Sequence, residues 1–369
     1  MSSRRNFIVA AALSLALGDL SRGAAAQDWK ANWDKTLAEA RGQKLNIALQ
    51  PDPGFDAVVE EFKKKFPFIN VVASNENPSA LAPRIVTEQK NGLYVWDVWW
   101  STASNMTAVN IPANSLEKIP DYLILPEVTD PANWQDPRYI YTSDKGPYVF
   151  VHTHYLQNLA YYNTDLVPVK ELKSVADMLN PTLRGKIALR APDRPHGGTQ
   201  MMAAMLKREG EDFVVKLFND QKPTVVDNAR QVTDGVIRGD FAIGIGTDDN
   251  SYRECLAAGG CKNVKKVPIN YMHSRAISIP KNPPNKAATK VFVNWLLSKD
   301  GQETYVRVWD KVDEPSQAFS MRKDVVAGPR SKEGQPDFSN LDQYVAVSLD
   351  SGVAVMDKVS ALFAKSRAK

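Results

Sequence analysis

The sequence predicts an α/β protein of two lobes, and three observations carry that prediction. Short apolar runs alternate with segments of helical spacing, each run breaks into a polar or Gly/Pro-rich loop, and 369 residues are about two domains' worth of chain. The first run, Leu45 to Leu49, breaks at Gln50-Pro51-Asp52-Pro53-Gly54 and reads as a strand ending in a loop. Phe55, Val58, Val59, Phe62 and Phe66 then recur at helical intervals up to Pro67, and Phe68 to Ala73 forms a second strand. A helix over 79–90 precedes Tyr94 to Trp100, which opens into Ser101-Thr102-Ala103-Ser104. The same unit returns at Ile187 to Arg190 with a helix from Thr199, and at Phe241 to Ile245 with a helix from about Asn250. Val312 to Pro336 is rich in Pro, Gly and charge and reads as surface loop, and Leu341 to Ala364 carries apolar residues at helical spacing.

Composition narrows the function classes. Lys plus Arg is 46 against 42 Asp plus Glu, and the residues before Gln27 hold three arginines and one aspartate, so the rest carries only +2. Such a balance offers no basic field for nucleic acid. Apolar residues at 43% and charged ones at 24% suit a globular protein. The N-terminus has the three-part build of an export signal: Arg4-Arg5, an apolar run from Phe7 to Leu17, and Ala24-Ala25-Ala26. That run is too short to span a bilayer, so residues 1–26 are expected to be cleaved after Ala26, and the arginine pair resembles the twin-arginine signal. The mature protein is expected in the periplasm. Cys255 and Cys261 fit no common zinc spacing; an oxidising compartment permits a small disulfide turned by Gly259 and Gly260, and two buried thiols are the alternative.

In open parallel sheets, ligands sit beyond the carboxyl ends of the strands. Four loops qualify, with candidate residues Gln50 and Asp52, Ser101 and Thr102, Arg190, Arg194, Gly198 and Thr199, and Thr247, Asp248 and Asp249. The third loop joins two arginines to a glycine pair ahead of a Met-rich helix, a composition that favours an anion. Adjacent aspartates after a strand offer hard oxygen ligands, hold an amine, or simply cap a helix.

Glu60 to Val71, Tyr161 to Pro168, Asp177 to Ala188 and Ala288 to Gln302 are landmarks by which the chain resembles the periplasmic solute-binding proteins of ABC importers, in the branch that includes ferric-iron binders. The resemblance implies a type II periplasmic binding protein fold: two lobes, each a mainly parallel sheet flanked by helices, joined by hinge strands and closing over one small ligand. It places 27–150 with 276–330 in the first lobe and 151–275 with 331–369 in the second, and implies a monomer that docks on an inner-membrane permease and needs no cofactor. Iron binders of this branch carry adjacent tyrosines after the strand that here is Phe241 to Ile245, whereas this chain has Gly246-Thr247-Asp248-Asp249. With Arg190 and Arg194 available for bidentate contacts, a small organic anion is therefore favoured as cargo, with ferric iron close behind.

The competing reading is a periplasmic metal-assisted hydrolase or lyase. His152 and His154 stand at strand spacing on one face and offer two zinc ligands without a visible third. No Gly-x-Ser-x-Gly, His-Glu-x-x-His, phosphate-loop or dinucleotide motif supports it. Trp96, Trp99 and Trp100 beside a cleft loop suggest either strand core or an aromatic wall for a planar ligand.

Overall fold

The computed structural model describes residues 28–136, 138, 140–168, 171–312 and 317–368; the export signal expected over 1–26 lies outside them. The first lobe begins with helix α1 (28–39), which the apolar spacing had not announced. It continues through β1 (Lys44–Leu49), α2 (Pro53–Lys65), β2 (Asn70–Asn75), α3 (Pro78–Lys90), β3 (Val98–Thr102), the single turn α4 (Pro126–Thr129) and β4 (Val149–Gln157). The second holds β5 (Ala160–Asn163), β6 (Ile187–Arg190), α5 (Gly197–Glu209), α6 (Glu211–Asn219), β7 (Thr224–Val226), α7 (Ala229–Arg238), β8 (Ile243–Ile245), α8 (Asp249–Ala257) and β9 (Val264–Lys266). The chain then returns through β10 (Tyr271–Ser278), α9 (Lys286–Leu297) and α10 (Lys299–Trp309), and ends in α11 (Asp350–Arg367).

The strands form two five-stranded sheets, ordered β2-β1-β3-β10-β4 and β7-β6-β8-β5-β9. In the first, β10 runs antiparallel between β3 and β4; in the second, β5 runs antiparallel to β8 and β9. The remaining neighbours are parallel, so the carboxyl ends of β1 and β3 open on one edge, as do those of β6 and β8 on theirs. The two-lobed α/β expectation holds.

Local chemistry sets the element ends. The Asp52 side chain accepts from the Gly54 N–H at 3.0 Å, with Pro53 at the first helical position, so the Gln50–Gly54 break is also the cap of α2. On α2, Phe55, Val58, Val59 and Phe62 face inward, and Phe62 meets Phe292 of α9 at 5.0 Å between ring centroids. In the second lobe the Met-rich face of α5 packs with α6 and with Met356 and Val359 of α11. Fully buried apolar side chains of this kind each contribute roughly 1.5–3 kcal/mol.

Three elements begin later than their apolar patterns suggest. Strand β2 starts at Asn70 rather than Phe68, because Phe66 to Ile69 make a turn, and β3 starts at Val98, leaving Tyr94 and Val95 exposed. The last helix starts at Asp350 rather than Leu341. Leu341 belongs to the first core, and the Met272 N–H donates to Val345 O while Val347 N–H donates to Met272 O, which holds this segment extended beside β10. The boundaries expected at 150/151 and 275/276 fall within β4 and β10, both paired in the first sheet. We therefore propose that the chain changes lobe near 158–159, 268–270 and 344–349.

Candidate functional site

The lobes face one another across a cavity of about 690 Å³ lined by Gln50, Asp52, Thr102, Ser104 and Arg275 from the first sheet's side and by Arg190, His196, Gln200 and Arg253 from the second. This volume is ordinary for a small-molecule site. On the first side the organising group is Arg275, 2% exposed on β10. Its Nε donates to Gln317 Oε1 at 2.7 Å, its Nη1 to Gln50 Oε1 at 2.9 Å, and its Nη2 lies 3.4 Å from Asp52 Oδ2. The guanidinium also sits over Phe55 and Trp309 at 4.8 and 5.2 Å, where the ring faces favour a cation. Gln50 Oε1 accepts additionally from Ser101 Oγ and Thr102 N–H, so its acceptor capacity is spent and its amide nitrogen is left, among the described residues, without a partner. Ser104 is buried against the same cavity with its hydroxyl unpaired among the described residues.

On the second side Arg190 closes β6. Its Nε donates to Asp227 O at 3.2 Å, and its Nη groups have no partner among the described residues. Burial, then the nearby Arg194, disfavours its charged form, so an anion here would relieve both. His196 caps α5, its Nδ1 accepting from Gly198 N–H at 3.2 Å, which leaves the proton of the neutral ring on Nε2. Burial, aided by Arg190 and Arg194, pulls its pKa down to about 4, so this tautomer holds at neutral pH. The close approach of two loops depends on glycine. Gly246 has φ +81, and a Cβ there would stand 2.7 Å from the Gly198 Cα and 2.8 Å from the Arg190 Cβ.

Of the candidates named from sequence, Gln50, Asp52, Thr102 and Arg190 line this cavity. Ser101 supports Gln50 from below, fully buried. Arg194 is exposed, 4.0 Å from Asp193, and its carbonyl accepts the Thr199 hydroxyl, so Thr199 and Gly198 shape the start of α5 and do not line the cavity. Thr247 is buried with its hydroxyl unpaired among the described residues, and Asp248 caps α8, accepting from Ser251 N–H at 3.2 Å and Ser251 Oγ at 2.6 Å. Asp249 accepts from the Tyr161 hydroxyl and faces a neighbouring cavity. Arg275, Gln317, Gln200, Arg253 and Tyr155, all of which line the cavity, were missed. The one available signal was an arginine inside the run Tyr271–Ser278, every residue of which is buried.

The enzyme residues are elsewhere. His152 and His154 are fully buried and line none of the cavities among the described residues. Trp100 Nε1 donates to His152 Nε2 at 2.8 Å, His152 Nδ1 lies 3.1 Å from Thr153 Oγ1, and Thr153 donates to Phe319 O. Burial holds His152 down at about 3, neutral. Among the described residues no group of three or more His, Cys, Asp or Glu side chains is placed to hold a metal ion. The tryptophans are core: Trp96 and Trp99 in one cluster, Trp100 in another, T-shaped to Phe55 at 4.6 Å. Tyr161 and Tyr162 point to different cores across β5. Tyr252, the first tyrosine after β8, stacks on Tyr161 at 4.4 Å and donates to Val264 O. Cys255 and Cys261 are joined by a disulfide closing the end of α8.

The family model for bacterial extracellular solute-binding proteins matches residues 57–316, most of the chain. The protein belongs to this family. Among solved structures, iron-bound HitA from Pseudomonas aeruginosa is 18% identical with a TM-score of 0.60, covering 88% of this chain and 99% of its own. Ferric iron-binding protein A from Mannheimia haemolytica, in an open conformation, is 14% identical with a TM-score of 0.63 over 88% and 98%. AfuA from Actinobacillus pleuropneumoniae, with fructose 6-phosphate bound, is 20% identical with a TM-score of 0.57 over 87% and 99%. A comparison with curated protein sequences gave no match. At these identities the likeness establishes the fold alone: the solute-binding protein has the two-lobed type II architecture. Such proteins bind a small ligand, are periplasmic in bacteria and work with an ABC permease; they are binders rather than enzymes. Among the described residues no helix is long and apolar enough to cross a membrane.

Proposed function

We propose that this chain is exported through its twin-arginine-like signal, acts as a monomer in the periplasm, and delivers a small organic anion carrying a phosphate or carboxylate to an inner-membrane permease. The observation that carries the cargo reading is Arg190: a half-buried guanidinium at a strand end, its Nη donors without a protein partner among the described residues, beside a cavity whose other wall carries Arg275 and the spare amide of Gln50. A ligand bridging Arg190 and Gln50 touches both lobes only when they meet, which is the differential affinity that closure requires. Iron is the weaker reading, since Asp248 is committed to capping and Tyr252 to packing.

The test is a thermal-shift and calorimetric screen of the mature protein, freed of carried-over ligand by partial unfolding. The panel is inorganic phosphate, fructose 6-phosphate, succinate, citrate, ferric citrate, an amino-acid mixture and spermidine. At 100 times Kd a ligand stabilises the fold by about 2.7 kcal/mol. Stabilisation confined to phosphates or carboxylates supports the cargo class. Stabilisation by ferric citrate but not citrate, or by spermidine alone, overturns it, and consumption of any compound would restore the enzyme reading.

A further inference from the structure

A second cavity of about 890 Å³ adjoins the first. Tyr155, Gln157, Arg253 and Gln317 line both, so the two are chambers of one interlobe space. One face of α5 runs between them: Gln200 lines the first chamber, and Ala204 and Arg208, one and two turns on, line the second.

The lining of the second chamber is strongly one-signed. Among its described residues Arg208, Arg253, Lys266 and Arg330 face a single carboxylate, Asp249. That carboxylate is already engaged, accepting from the Tyr161 hydroxyl with Arg253 Nε and Lys266 Nζ each 3.7 Å away. Two of the cations are positioned through backbone carbonyls: Arg208 Nη1 donates to Pro268 O at 2.8 Å and Arg330 Nη1 to Asp310 O at 2.7 Å. Arg208 Nε also lies 3.5 Å from Glu209 Oε1, and the lining still carries an excess of positive charge, which concentrates the opposite ion in a cleft.

We propose that the second chamber is an anion subsite, and that the ligand is an elongated molecule with two anionic groups, one at Arg190 and the other among Arg208, Lys266 and Arg330. This rests on the organic-anion reading of the first chamber and specifies it: a compact ligand with one anionic group leaves the second chamber to water, whereas a bisphosphate or α,ω-dicarboxylate fills both.

The experiment is calorimetric titration of the wild type and the double variant Arg208→Ala/Lys266→Ala with two matched pairs, fructose 1,6-bisphosphate against fructose 6-phosphate and adipate against hexanoate, at fixed ionic strength. Both substituted side chains are half exposed, so the variant should fold, which its melting curve checks. The expected result is a preference of at least tenfold for the compound with two anionic groups in one pair, reduced to within about threefold in the variant while the Kd of its partner with one anionic group moves less than twofold. A wild type that binds both members of each pair equally, or a variant that keeps the full preference, overturns the two-group proposal and leaves the organic-anion reading standing. Failure of all four compounds, with ferric iron or spermidine binding instead, overturns both.

Discussion

Replacing Arg190 with alanine should weaken binding of an organic anion by roughly 10- to 150-fold while barely altering the fold. The magnitude follows from what the side chain does. Its Nη groups have no protein partner among the described residues, the residue lines the cavity, and hydrogen bonds to a charged group are worth about 1.5–3 kcal/mol, at tenfold in Kd per 1.4 kcal/mol. The native state loses only the Nε bond to Asp227 O, about 1 kcal/mol. Arg194→Ala is the internal control. Four residues away, it is exposed and only 4.0 Å from Asp193, and exposed pairs contribute about 0–1 kcal/mol, so its Kd should stay within about twofold. The assay is calorimetric titration with the tightest anion of the panel at one ionic strength, since screening scales such contacts, alongside melting of the free proteins. An Arg190→Ala protein that binds within twofold of wild type, or an Arg194→Ala protein that loses as much, would refute the assignment.

Acid should weaken the fold through its buried histidines. His152 and His273 are held at about 3 by burial, against 6.5 when unfolded, so the unfolded chain takes up protons first; the stability is complete above pH 6.5 and is lost as pH falls toward 3. At pH 5 each costs about 2 kcal/mol, and urea unfolding at pH 7 and 5 should show the loss shrinking in a His273→Asn variant. Reducing the Cys255–Cys261 bond, which closes a seven-residue loop, should cost about 2 kcal/mol by the chain-entropy relation and speed amide exchange toward the end of α8, as melting and exchange mass spectrometry with and without reductant would show. Gly246→Ala should lower both stability, by about 1–3 kcal/mol from its positive φ, and anion affinity, because the added methyl presses on the Arg190 Cβ; unchanged affinity in a folded variant would detach Gly246 from the site.

Much of the fold was legible because it is local. Alternating apolar runs and helical spacing placed β1, α2, β6 and β8 within a few residues of their observed positions, and the rule that ligands gather at strand ends reached Gln50, Asp52, Thr102 and Arg190. The same local logic over-reached where tertiary pairing intervened. Residues 341–349 carry helical spacing, yet one part buries Leu341 in the first core and another pairs with Met272, more than 70 residues earlier in the chain. Likewise His152 and His154 keep the two-residue spacing of a metal pair, but β4 lies against β10 and buries both.

The sequence by itself determined the alternating architecture and the chemistry available at each strand end, since period, charge and capping are properties of neighbouring residues. Only the tertiary structure decided which of those groups share a space. Arg275 meets Gln50 and Asp52 across more than 220 residues of chain because β10 returns to lie beside β3, and Asp249 parts from Asp248 because α8 turns one carboxylate to its own cap and the other to the second chamber. Such pairings arise from how sheets order their strands and helices present their faces, and no spacing within a single segment encodes them.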